Sequence, residues 1–163
     1  MCFSILKNIK GVITMFNKIK CFKWNEKHKW AWYNKGLALL SLGKFDNSLE
    51  FFDKALEIDP KDRSAWYNKG LALLNLGSYN EALEYFDKAL EIDPKHVHAL
   101  SNKGRVLSEL GRPEEAMKYH EKAIKINPKN EYAWQTKSFT LGKLGKPEEA
   151  RKCREEYLKH INK

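Results

Sequence analysis

Apolar residues fall along this chain in two alternating helical patterns separated by glycine and closed by proline. Trp32, Gly36 and Leu39 are spaced by four and three residues, which places them on one face of a helix. After Gly43, a second face is marked by Leu49, Phe52, Ala55, Leu56 and Ile58, and Pro60 follows. The pattern predicts a helix, a glycine-ended turn, a second helix and a proline stop. Shifting the chain on itself by 34 residues brings the pattern back into register. Trp32, Trp66 and Trp134 coincide, with Leu100 in the remaining slot. Gly36, Gly70 and Gly104 form one column, and Gly43, Gly77, Gly111 and Gly145 another. Ala55, Ala89 and Ala123 form a third, and Pro60, Pro94 and Pro128 a fourth.

The columns have physical meanings. Glycine tolerates the left-handed backbone that ends a helix, so the Gly43 column closes the first helix of each unit. Small residues at Gly36, Gly70 and Gly104, and at Ser48, Ala82, Ala116 and Ala150, let two helices approach closely. Pro113 and Pro147, each followed by two glutamates, suit the first turn of a second helix, where an N–H is dispensable and acid suits the dipole.

The block from Ala31 to Leu40 recurs almost unchanged from Ala65 to Leu74. With the Trp, Gly, Ala and Pro columns it resembles the tetratricopeptide repeat. That resemblance implies an all-α fold, an α-solenoid of stacked antiparallel helix pairs. In this frame the units are 29–62, 63–96, 97–130 and 131–163. The fourth is degenerate, with Ser138, Tyr157 and Asn162 in place of Gly, Ala and Pro, and its exposed Arg151, Lys152, Arg154, Glu155, Glu156 and Lys159 are expected to form a solubilising cap. Residues 1–28 are set apart. Lys20–Asn25 aligns with Lys54–Asp59 as a degenerate half-repeat, although Lys18 and Glu26 break the match. Residues 2–19 are amphipathic, with Cys2, Ile5, Leu6, Ile9, Val12, Ile13 and Phe16 on one half of the wheel, which predicts a helix capping the first unit. Membrane-surface contact through residues 1–19, dimerisation, or a start at Met15 are the other readings of this segment.

The resemblance also implies a use: first helices line a concave groove that holds a partner protein or peptide. By repeat position the candidate lining is Tyr33, Asn34, Leu37, Leu40, Tyr67, Asn68, Leu71, Leu74, Asn102 and Arg105. Ser101 and Gln135 share the Tyr column, Thr136 the Asn column and Phe139 the Leu37 column. An amide both donates and accepts, so the Asn column could read an extended backbone, or it could bond within or between helices. The first two units predict an apolar groove, and Ser101, Arg105 and Ser108 a polar, basic third. The family's grip on a C-terminal carboxylate is not expected, because Tyr33, Leu37, His98 and Asn102 occupy four of its five places. Lys35, Lys69, Lys103 and Lys137 are read as stems lying on apolar surface with ammonium groups in water.

Composition narrows the function further. The chain has 163 residues, 42% hydrophobic content and a formal net charge of +9. The charge divides as +5 over residues 1–28, −2 over 29–96 and +6 over 97–163, so its basic residues do not gather on the repeats as a whole. Three dispersed cysteines, Cys2, Cys21 and Cys153, suggest neither a disulfide framework nor a metal cage and point to a reducing cytosol. Cys153 reads as a packing residue despite its basic neighbours, and His96 with His98 lacks a third ligand. No P-loop, dinucleotide fingerprint, zinc-protease motif or nucleophile elbow occurs, so no catalytic residue, cofactor or metal is expected. No apolar run reaches transmembrane length. The expected function is a non-catalytic cytoplasmic scaffold that binds a protein or peptide. The competing reading is a basic helical array contacting RNA or an anionic membrane.

Overall fold

The computed structural model of the chain describes residues 29–162. Those residues form α1 (Lys29–Ser41), α2 (Phe45–Ile58), α3 (Arg63–Leu76), α4 (Tyr79–Ile92), α5 (Val97–Glu109), α6 (Pro113–Ile126), α7 (Glu131–Lys143) and α8 (Pro147–Ile161). Each helix packs on the next, and the stack forms an all-α solenoid of antiparallel pairs. At the C-terminal end α5 also packs directly on α7. The half-repeat and the amphipathic segment expected within residues 1–28 lie outside the described residues.

The turns follow from local chemistry. Gly43, Gly77, Gly111 and Gly145 have φ of 71°, 79°, 75° and 70°, the left-handed region. A Cβ at any of them would meet nothing within 4 Å, so backbone conformation, not space, requires glycine there. The N-termini of α3, α5 and α7 are capped from one column. Asp62 accepts from the Ser64 and Ala65 amides, Nδ1 of His96 from Ala99, and Asn130 from Ala133. Asp59, Asp93 and Asn127 each accept the amide two residues on at 3.1 Å, which folds the chain between pairs.

Within a pair the helices meet where a glycine faces a ring. A Cβ on Gly36 would lie 2.7 Å from the Phe52 ring, one on Gly70 2.8 Å from Phe86, and one on Gly104 2.5 Å from His120. All three rings are fully buried. His120 fills the phenylalanine slot with a polar ring. One nitrogen, Nε2, reaches Thr140 Oγ1 at 2.8 Å, while Nδ1 has no partner. Beside this contact the tryptophans stack on second-helix rings: Trp32 on Phe51 and Trp66 on Tyr85, both at 5.7 Å between centroids. The Trp66 and Trp134 indoles donate to the Pro60 and Pro128 carbonyls at 2.9 Å.

Two stability predictions follow from this packing. Gly70→Ala should lower the free energy of unfolding by about 1–3 kcal/mol, because the added methyl would stand 2.8 Å from the fully buried Phe86 ring, which must shift. Gly142→Ala, where a Cβ meets nothing within 4 Å inside a helix, should be neutral or raise it by about 0.5–1 kcal/mol; urea denaturation of both variants compares them. Burial, with the Lys137 charge adding to it, pushes the His120 pKa down from 6.5 to about 4. The neutral ring therefore contributes its full stability above pH 6.5, and that contribution declines as pH falls to about 4. The loss over that window is roughly 2–3 kcal/mol. His120→Phe should remove this part of the pH dependence, read as a shallower fall in unfolding midpoint than the parent shows between pH 7.5 and 4.5.

Candidate peptide-binding groove

The first helices α1, α3, α5 and α7 carry the residues from which a groove would be built. Tyr33 and Tyr67 lean over Phe52 and Phe86, and each phenol meets the asparagine of the next first helix. Asn68 Nδ2 donates to the Tyr33 hydroxyl at 3.0 Å and to the Ser64 carbonyl at 2.8 Å. Asn102 Nδ2 donates to the Tyr67 hydroxyl at 3.1 Å, and its Oδ1 accepts from the Tyr132 hydroxyl at 2.5 Å. Burial raises the Tyr67 pKa well above its usual value, so the phenol stays protonated. Its ring lies 4.9 Å from that of His96, whose pKa burial lowers, with the Arg63 charge adding to it. The result is a polar seam that ties consecutive first helices together.

A second seam runs behind it. Lys69 pairs with Asp53 and lies over Tyr85 at 4.4 Å, and Lys103 pairs with Asp87 and lies over Tyr119 at 4.4 Å. Lys137 reaches Glu121 at 3.7 Å. Burial pulls the Lys69 and Lys103 ammonium groups down, but the Asp53 and Asp87 carboxylates, with the tyrosines, outweigh it, and both pKa values end above 10.5. These ammonium groups meet acids and rings, which departs from the expectation that they stand in water. What the sequence reading lacked was the acid sixteen residues earlier, a column of Asp53, Asp87 and Glu121 with the same 34-residue period.

The tetratricopeptide repeat description fits two family models, one matching residues 25–63 and 33–97 and the other 73–138. This chain belongs to the tetratricopeptide repeat family. No curated protein matches it by sequence. Among solved structures it is similar to MamA at 20% identity and a TM-score of 0.74, covering 98% of this chain and 92% of that one. It is also similar to YrrB, described as a TPR protein with an unusual peptide-binding site, at 26% identity and a TM-score of 0.69, covering 86% and 73%. The first TPR of Spaghetti (RPAP3), bound to an HSP90 peptide, is 21% identical with a TM-score of 0.68, covering 74% and 98%.

Several candidate groove residues of this tetratricopeptide array are spent on packing. Asn68 is 8% exposed, Asn102 1% and Leu74 7%, so the two buried amides serve the Tyr seam and Leu74 serves the core. Ser101 and Ser108 are buried as well, so of the polar residues expected in the third unit Arg105 is the exposed one. Asn34 and Arg105 are exposed; Tyr33, Leu37, Leu40, Tyr67 and Leu71 are half-buried, Leu71 against the core. Phe139, in the Leu37 column of the last first helix, is 41% exposed.

At the C-terminal edge the expected charged cap is half the story. Its charged residues are exposed, but a cavity of about 580 Å³ opens there among Trp134, Ser138, Arg154, Tyr157 and Leu158. Cys153 packs with Trp134 and Leu141, and burial raises its thiol pKa despite the basic neighbours. Among the described residues no group of three or more His, Cys, Asp or Glu is placed to hold a metal ion, and no helix is long and apolar enough to cross a membrane.

Asn102→Ala should lower the free energy of unfolding by about 1–2 kcal/mol, because two half-buried phenols lose their partner together. Asn34→Ala, in the same column but exposed, should change it by less than about 0.5 kcal/mol. Chemical denaturation of the pair measures the difference.

Proposed function

We propose that this protein is a non-catalytic interaction module of the cytoplasm whose concave groove holds a peptide or helix from a partner protein. The observation that carries the reading is the column Leu37, Leu71, Arg105 and Phe139, which the packing leaves accessible or half-buried while Asn68, Asn102, Ser101 and Ser108 are buried. Leu37 and Leu71 supply apolar contact, flanked by Tyr33 and Tyr67, and Arg105 supplies one charge. A partner strand or helix that presents leucine or phenylalanine first and a carboxylate later complements that order. Family membership supports a binding role, and YrrB is a peptide-binding precedent in a similar fold. The HSP90-peptide complex of RPAP3 is a likeness of fold. Capture of a chaperone tail by the family's carboxylate grip does not fit this chain, whose Tyr33, Leu37, His98 and Asn102 stand at four of its places. The acid partners of the Lys69, Lys103 and Lys137 column weigh against the rival reading of RNA or an anionic membrane.

The test is affinity capture with Leu37→Glu plus Phe139→Glu, residues whose side chains the core does not enclose. The double variant should keep its helical spectrum and lose the proteins that the parent retains, equally at low and high salt. Capture that survives the substitutions, or that falls steeply with salt as phosphate contacts do, would overturn the groove assignment.

A further inference from the structure

In the first two units a first-helix tryptophan lies flat on a second-helix ring under a lysine. The Trp66 indole stacks on Tyr85 with an interplanar angle of 18°, donates to the Pro60 carbonyl at 2.9 Å, and has the Lys88 ammonium 4.6 Å from its centre. Trp32 repeats the arrangement on Phe51 under Lys54. In the third unit the equivalent residue is Leu100, which has no flat face and no N–H. Its surroundings are otherwise retained: Tyr119, Pro94 and Lys122 stand 34 positions after Tyr85, Pro60 and Lys88.

At that place there is a cavity of about 330 Å³, lined by Leu90, Pro94, Leu100, Tyr119, Lys103 and Lys122, with Asp87 and Glu91 alongside. Its volume is at the lower end of the roughly 300–1,000 Å³ of small-ligand sites. Leu100 is fully buried beneath it, Tyr119 is half-buried, and Lys103 lies 4.4 Å from the Tyr119 ring. Tyr119, Pro94 and Lys122 are thus present at the third unit, with Leu100, in one core cluster with Tyr119, below the cavity.

We propose that this cavity is a binding site for a tryptophan side chain presented by a partner polypeptide. An indole entering it gains the Tyr119 face for stacking, the Pro94 carbonyl as acceptor for its N–H, and the lysine ammonium groups against its ring. The acceptor favours tryptophan over phenylalanine or leucine, because a ring without a donor leaves the carbonyl unmet. The cavity lies at the surface; Asp87 and Lys103 on its rim pair with each other, and Glu91 and Lys122 are the polar partners for a polypeptide continuing past the ring. Leu100 and Asn102 are two residues apart on α5 and face different ways, so the site is separate from the concave groove and independent of its reading.

The experiment is an NMR titration of the full chain with N-acetyl-tryptophanamide, its 1-methylindole counterpart, and a short glycine peptide carrying one tryptophan. The amide should give saturable shifts at Leu90, Leu100 and Tyr119 with a dissociation constant on the order of 1 mM. The methylated compound should bind more weakly and the peptide more tightly. Leu100→Trp supplies the chain's own indole and should raise the unfolding midpoint while abolishing the shifts. A lowered midpoint or a misfolded Leu100→Trp would show that the space is not shaped for an indole and overturn the proposal. So would the absence of saturable shifts in the parent at millimolar ligand, or shifts that persist in the variant. Equal binding by the methylated compound would overturn the assignment of the cavity to tryptophan, which rests on the Pro94 acceptor. A peptide no tighter than the amide, or the same shifts on concentrating the chain alone, would overturn the foreign polypeptide as the source.

Discussion

The distance between the two helices of a pair is set by a ring pressed against a glycine, and much of the array's geometry descends from it. Phe52 and Phe86 are fully buried with their rings where a Cβ on Gly36 or Gly70 would have to be. Closing that gap lets the first-helix tryptophan reach the ring at the neighbouring position, as Trp66 does with Tyr85. It also lays Tyr67 across Phe86 at 5.9 Å, with its hydroxyl aimed at the next unit. Where the pairing of glycine and ring ends, the order loosens. Ser138 and Arg154 occupy the column in the last pair, Ser138 Oγ donates to the Ala150 carbonyl at 3.1 Å, and the adjoining cavity opens.

Seats between pairs depend on the same constraint. An asparagine can find a phenol 35 residues away only if both pairs have a fixed thickness and tilt, and Asn68 with Tyr33 and Asn102 with Tyr67 do so at nearly equal lengths. Ser101 in the third unit cannot continue the seam as a phenol would. Tyr132 closes it from another position by donating to Asn102 Oδ1. At the same junction α7 packs directly on α5.

Fold and punctuation were legible in the residues because their causes are local. A left-handed turn needs glycine within a few residues of the helix it ends, so the Gly43 column could be read directly. The functional face was less legible, because whether a side chain faces a partner or a neighbouring unit depends on contacts that close in three dimensions. Asn34 and Asn102 share a column; the first is exposed and the second is 1% exposed, and nothing local distinguishes them. The lysine and acid columns were both visible at the 34-residue period. Their pairing at a separation of sixteen was not, since it joins a first helix to the second helix of the preceding pair.

What the packing consumes also constrains what the groove can recognise. A peptide backbone needs amides or hydroxyls free to pair with it, and the described first helices have committed Asn68, Asn102 and Ser101 to internal hydrogen bonds. Freeing Asn68 or Asn102 to bind a peptide would take the partner from a half-buried phenol, at about 1 kcal/mol each. Beside the exposed Asn34, recognition along the proposed column Leu37, Leu71, Arg105 and Phe139 rests on apolar surface and one guanidinium, which select side-chain shape and charge more than backbone conformation. An amphipathic helix satisfies its own backbone groups and needs no such ladder, whereas an extended strand does. For the groove reading proposed above, that argument points to a helical partner more than to a stretched peptide.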